Sequence, residues 1–209
     1  MIKKAWLAFV ICAVSLSVHG AALAADSGFY LGLGVGIARA SFDGTGVAGG
    51  VAGTSVSNDT PAFAWKEYGG YQFNKNVGIE LSFADLGKTD MNVVVPGSAV
   101  VPGKATLNGF GIAVVGSFPS SMGLALFGKV GGFYSTLNAS TTVNIFNSGT
   151  TNISKERRFV PNIGGGINYD LTPRIGVRVE YERFLKLGTS TKSIDTDVGM
   201  FTVGLNYKF

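Results

Sequence analysis

Glu180 and Glu182, two carboxylates two positions apart, come nearest in this sequence to an acid–base pair. On a strand, residues i and i+2 share a face, so both would meet one substrate, as general acid–base catalysis requires. The chemistry stops there. A lipid hydrolase couples its nucleophile to a base such as histidine, and the 209-residue chain holds one histidine, His19, and one cysteine, Cys12. Both fall in a leader: Lys3 and Lys4 precede an apolar stretch from Ala5 to Val18, followed by Ala22-Leu23-Ala24. That order predicts a cleaved secretory signal over residues 1–24. The mature chain then has neither imidazole nor thiol, which excludes Ser–His catalysis and metal sites built on His or Cys. Asp195 and Asp197 offer oxygen of the kind calcium takes, but two acids in one loop are a poor ligand set. Gly32-Leu33-Gly34-Val35-Gly36 lacks the G-x-G-x-x-G spacing and the following helix of a dinucleotide loop. No enzyme, cofactor or metal is expected.

The elements that must position these carboxylates are strands. The chain has 31 Gly and is 46% apolar and 14% charged, against roughly 25% charged and about 7% Gly in ordinary soluble domains. Beyond the leader no apolar run approaches the roughly 20 residues of a membrane helix. Instead the apolar residues alternate. Phe29, Leu31, Leu33, Val35 and Ile37 are separated by Tyr30, Gly32, Gly34 and Gly36, giving one greasy face and one nearly bare face. The pattern recurs near Phe63–Phe73, Val77–Ala84, Gly109–Val114, Leu124–Val130, Ile163–Tyr169, Ile175–Glu182 and Phe201–Phe209, about eight strands in all. Tight turns at Asn74–Asn76, Pro119–Gly123 and Asp170–Arg174 alternate with long polar loops near residues 40–61, 86–104, 138–157 and 185–195. Lipid satisfies no open sheet edge, so such a sheet must close. The expected fold is all-β: a closed, antiparallel, eight-stranded up-and-down transmembrane barrel over residues 25–209.

On this parity the inward charges are Lys66, Glu80, Lys129, Arg178, Glu180 and Glu182. They read either as a charged, gated pore or as ion pairs plugging a narrow interior; an eight-stranded barrel is just wide enough for side chains to fill, which favours the plug. Glu67 falls on the lipid-facing parity, where a charge is unfavourable, so a bulge near Lys66-Glu67 is expected to swap their faces. Asp85 continues the outer parity of Phe83. Lys155, Arg157 and Arg158, with Arg183 and Lys186, fall near the outer rim and are candidate contacts for lipopolysaccharide phosphates. Without Lys3 and Lys4 the balance is 15 basic against 13 acidic residues, and no dense basic stripe points to nucleic acid.

Several segments together resemble the transmembrane domain of OmpA-type outer-membrane proteins: Gly69-Gly70-Tyr71-Gln72-Phe73-Asn74, Val77-Gly78-Ile79-Glu80-Leu81, Gly165-Gly166-Ile167-Asn168-Tyr169, Leu171-Thr172-Pro173 and Arg178-Val179-Glu180-Tyr181, ending at Phe209. The resemblance implies that Glu80 and Arg178 belong to a charged core network. Asn168 stands where the family often has glutamate, implying a weaker or rearranged network. It also implies that the last strand, with Phe201, Val203, Leu205, Tyr207 and Phe209, is the signal read by the barrel-assembly machinery. The peptidoglycan-binding domain of long family members is not expected. The functional expectation is a Gram-negative outer-membrane protein, termini periplasmic and loops outside, with a structural role in envelope integrity. The rivals are a small porin, which single-channel recording would reveal, and an adhesin or serum-resistance factor acting through its loops, which loop deletion would test.

Overall fold

The computed structural model describes residues 27–42, 55–57, 61–94, 101–145, 148–185 and 196–209. The expected signal segment, Lys186 and Asp195 lie outside these residues. Among the described residues nine strands follow one another: β1 (Gly28–Phe42), β2 (Ser55–Ser57), β3 (Ala62–Gln72), β4 (Val77–Val94), β5 (Val101–Pro119), β6 (Leu124–Ile145), β7 (Ser148–Asp170), β8 (Ile175–Phe184) and β9 (Thr196–Lys208). Each long strand pairs antiparallel with its neighbours in the order β4-β3-β1-β9-β8-β7-β6-β5, and a β4–β5 ladder closes the ring. The result is a closed eight-stranded barrel; the three-residue β2 is an appendage on the upper part of β4.

Alternation sets the two faces. Phe29, Leu33, Val35, Ile37, Phe110, Ile112, Leu126, Val130, Ile163 and Val203 point outward and are exposed, Phe110 by 61%. In water so much bare apolar surface would drive association; in lipid it is the solvated state. On β1 the outward series from Phe29 to Ile37 covers nine residues, matching the roughly 9–11 that span a bilayer as a tilted strand.

The short turns all lie at the end of the barrel that holds both termini of the described barrel. Gly28 pairs with Gln72 just before the first turn, and the amide of Lys208 donates to the Arg174 carbonyl in the last (2.8 Å). The Asn74 side-chain oxygen accepts from the amides of Asn76 (2.8 Å) and Val77 (2.9 Å), closing its turn as a side-chain mimic of backbone. Gly123 turns the second with φ +75, a left-handed conformation that a side chain would strain.

Two expectations from composition are corrected. Residues 86–104 and 138–157 are not loops over most of their length. β4 and β5 stay paired up to Val93 opposite Val101, and β6 and β7 up to Ile145 opposite Ser148. Their Thr, Val and Ile residues suit extended backbone, and each hairpin satisfies its own amides beyond the membrane. The bulge expected at Lys66-Glu67 is also elsewhere. β3 keeps an unbroken register with β1 and β4 through both residues, and the irregularity falls between Asp85 and Lys88. The reason is local: Gly87 takes φ +83, its amide donates to the Asp85 carboxylate (2.9 Å), and a Cβ there would strike the Phe63 carbonyl oxygen. Nothing at Lys66-Glu67 provides such a hinge.

Candidate functional site in the barrel lumen

The inward residues form layers. At the turn end a cavity of about 410 Å³ opens, lined among others by Tyr30, Gln72, Asn168, Asp170, Asn206 and Lys208, and it reaches inward to Phe127 and Arg178. Lys208 Nζ donates to both carboxylate oxygens of Asp170 (2.8 and 2.7 Å) near its mouth.

Above it sits the ionic layer, built by β3, β4, β6 and β8. Lys129 Nζ lies 2.6 Å from Glu180, 2.8 Å from Glu182 and 3.3 Å from Glu80. Lys66 Nζ lies 2.9 Å from Glu180 and 3.1 Å from Glu182. Arg178 reaches Glu80 at 2.7 Å and Glu180 at 3.1 Å. Three cations thus meet three carboxylates, all six buried. Two neutral residues complete the shell: the Tyr30 hydroxyl donates to Glu80 (3.2 Å) and Asn162 Nδ2 to Glu182 (2.5 Å). The Arg178 guanidinium lies between two rings, 4.5 Å from the centroid of Tyr68 and 4.0 Å from that of Phe127, where cation–π attraction offsets part of its desolvation. Inward glycines provide the seats. A Cβ on Gly32 would overlap the Tyr68 ring, one on Gly70 the Tyr30 ring, and one on Gly164 would come within 3.1 Å of Lys129 Cε.

Beyond the charges, toward the hairpin end, the lumen turns apolar. Phe133, Val160, Phe184, Val198, Met200 and Leu86 form one buried cluster with Ala38, Ala64 and Ala84, and the rings of Phe133 and Phe184 pack tilted at 53° with centroids 4.5 Å apart. None of these residues lines the turn-end cavity.

The structure brings together Lys66, Glu80, Lys129, Arg178, Glu180 and Glu182 of the sequence candidates. Asn168 does not join them. It lies in register with Arg178, but its side-chain amide faces Asp170 at 3.4 Å, on the cavity side. Glu180 and Glu182 are saturated by cations, so neither is poised as an acid or base. Of the rim candidates, Lys155, Arg157 and Arg183 are exposed on outward positions, whereas Arg158 takes the opposite parity and is half-buried; alternation within Arg157-Arg158 forbids both from facing lipid headgroups. Asp197 is bonded to Arg183 at 2.7 Å and so offers little to a cation. Phe201, Val203, Leu205, Tyr207 and Phe209 all lie outward and exposed. Sequence reasoning missed Tyr30, Tyr68 and Asn162, and it missed the apolar layer. Its signal was present, since Glu182 is followed at i+2 by Phe184 and Thr202 preceded at i−2 by Met200.

The family model described as OmpA-like transmembrane domain matches residues 24–209. Outer membrane protein A of Escherichia coli O157:H7 is 28% identical over 144 residues, covering 68% of this chain and 38% of the relative. Outer membrane protein P5 of Haemophilus influenzae is 23% identical over 224 residues, covering 99% of this chain and 60% of the relative. The chain therefore spans less than two-thirds of either. Among solved structures, the outer membrane protein OprG from Pseudomonas aeruginosa superposes with TM-score 0.58 at 14% identity, covering 88% of this chain and 97% of that one. Neisserial surface protein A superposes with TM-score 0.56 at 17% identity, covering 88% and 99%. At these identities the likeness is one of fold.

Proposed function

The chain belongs to the family of OmpA-like transmembrane domains and is an outer-membrane β-barrel of Gram-negative bacteria, and on that premise we propose that it acts as a sealed structural barrel. Its role in this reading is mechanical: it anchors the envelope's outer layer and carries two long hairpins beyond the lipid. One observation supports this above others, the double filling of the lumen. Three cations and three carboxylates in mutual contact, capped by the packed rings of Phe133 and Phe184, leave side chains where a porin needs water. The termini and short turns then face the periplasm and the hairpins face outward, the arrangement usual for outer-membrane barrels. The exposed series on β9 ending at Phe209 is the strand the barrel-assembly machinery would engage during insertion.

Single-channel recording of the refolded chain in planar bilayers is the test. A sealed barrel gives no stable conductance steps above background. Regular steps would replace this reading with that of a small porin.

A further inference from the structure

The outer wall holds cations that the lumen does not use. On strand after strand the last apolar outward residue is followed, toward the hairpin end, by a basic one. Ile37 is followed by Arg39, Tyr181 by Arg183, Phe159 by Arg157 and Lys155, and Phe110, after Asn108 and Thr106, by Lys104. On β4 the bulge after Asp85 returns Lys88 to the outward side, opposite Thr106. All six cations are exposed. One outward step is two residues, about 6.6 Å along a strand, hence about 5 Å along the normal once tilt is included. That height puts Arg39, Arg157 and Arg183, one step above Ile37, Phe159 and Tyr181, within the headgroup layer, roughly 5–8 Å thick on each side of the hydrocarbon, with Lys155 and Lys104 standing farther out, two and three steps up.

One part of this collar is a recess. Arg39, Gly199 and Arg183 share a single cross-strand row. Gly199 leaves the centre of the row bare, and the Tyr181 hydroxyl leans over it, 2.5 Å from where a Cβ would stand. The space, about 280 Å³, is lined by the two arginines together with Ile37, Tyr181, Phe201 and Asp197. Asp197 grips Arg183 through Nε (3.1 Å) and Nη2 (2.7 Å), which fixes the guanidinium at the rim of the recess.

We propose that this collar, centred on the Arg39–Gly199–Arg183 recess, binds the phosphorylated, acylated sugar headgroup of lipopolysaccharide. One phosphate sits between the two guanidiniums, which suit its oxygens, and the acyl chains lie along Ile37 and Phe201 below. The apolar wall directly beneath the arginines commits the site to a lipid over a free phosphate. The proposal rests on the reading that the hairpin end faces the outer leaflet.

The test uses the full refolded chain in zwitterionic micelles, titrated with purified lipopolysaccharide, with the heat-induced electrophoretic shift as the check on folding. For Arg39→Ala/Arg183→Ala, still folded, the affinity should fall at least about tenfold, the loss of one charge-assisted contact or more. Lys75→Ala, at the turn end, should bind as the parent does. Phosphatase-treated lipopolysaccharide should bind the parent about tenfold more weakly. Equal binding by parent and double variant, or no dependence on the phosphates, overturns the proposal while leaving the sealed barrel intact. Displacement of the lipid by inorganic phosphate at millimolar concentration overturns the commitment to a lipid. Conductance steps from the parent chain would sink the structural reading without touching this one.

Discussion

The ionic layer and the apolar layer fill adjacent stretches of one tube by opposite means. In the first, every cation touches at least two carboxylates, so the cost of burying charge is offset only while the set is complete. In the second, packed rings and small alanines gain from contact itself, and volume matters more than identity. A network of charges is therefore intolerant of single deletions, whereas an apolar stopper loses stability in proportion to what is removed. On the sealed-barrel proposal, either layer alone should be enough to block a narrow lumen.

The largest effect should come from Lys129→Met, which keeps the length of the side chain and takes a cation from Glu80, Glu180 and Glu182 at once, leaving three buried carboxylates to two cations. Breaking a buried pair by removing one partner costs about 3–5 kcal/mol, and Lys129 belongs to the upper end. The midpoint of urea unfolding in micelles reads the loss. Adding Glu182→Gln should restore part of it, and a double variant no more stable than the single would show that the charges act independently. Phe184→Ala comes next, at about 3 kcal/mol for an excised core ring. Comparing the two layers also predicts conductance. Neither Lys129→Met nor Phe133→Ala/Phe184→Ala should conduct alone, because the other layer still closes the bore, while the triple variant should. Conductance from the charge variant by itself would show that the rings are no barrier.

These layers differ as much in how they are read from sequence. Strand alternation is imposed by backbone geometry, so the inward parity of Glu80, Lys129 and Arg178 is legible without any contact being known. That parity also carries Phe133, Phe184 and Met200 inward, but a lumen is expected to be polar, and a Phe two places after a glutamate reads more readily as an exception than as a layer. Partner choice was illegible for another reason: which carboxylate Lys129 touches depends on shear between strands far apart in sequence. The extended hairpins were hidden because Gly, Ser and Asn read as loop, although cross-strand pairing decides their state. The basic collar escaped because Arg39, Lys88 and Lys104 are each isolated in sequence and become neighbours only around the barrel's circumference.

The seats beneath the charges allow a finer measurement. Gly32→Ala places a methyl group inside the Tyr68 ring, and Tyr68 cannot retreat without leaving Arg178. Overpacking of this kind typically costs 1–3 kcal/mol, and about 2 kcal/mol is expected here. In the Tyr68→Phe background the loss should shrink but persist, since the hydroxyl and the ring carbon that bears it both crowd the seat. Restoration by Tyr68→Ala would confirm the steric cause, and a loss that persists there would assign it to backbone strain in β1.

The smallest effect reverses sign. Glu67 stays on the outer wall, in register with Leu33 on one side and Phe83 on the other, because β3 has no bulge to turn it inward. It is half-buried and has no partner in the ionic layer, from which the sheet itself separates it. Charged residues on the lipid face of a barrel destabilise by an amount that depends on depth, less for carboxylates than for the roughly 2–4 kcal/mol of Arg and Lys at the midplane. Glu67→Leu should therefore stabilise the barrel by about 1 kcal/mol in phospholipid bilayers, seen as a higher urea midpoint. In detergent micelles, where water reaches the wall more easily, the gain should shrink. A loss of stability in bilayers would mean that the carboxylate serves the outer wall, and the contrast between a complete ionic interior and an apolar lipid-facing belt would have to be redrawn around it.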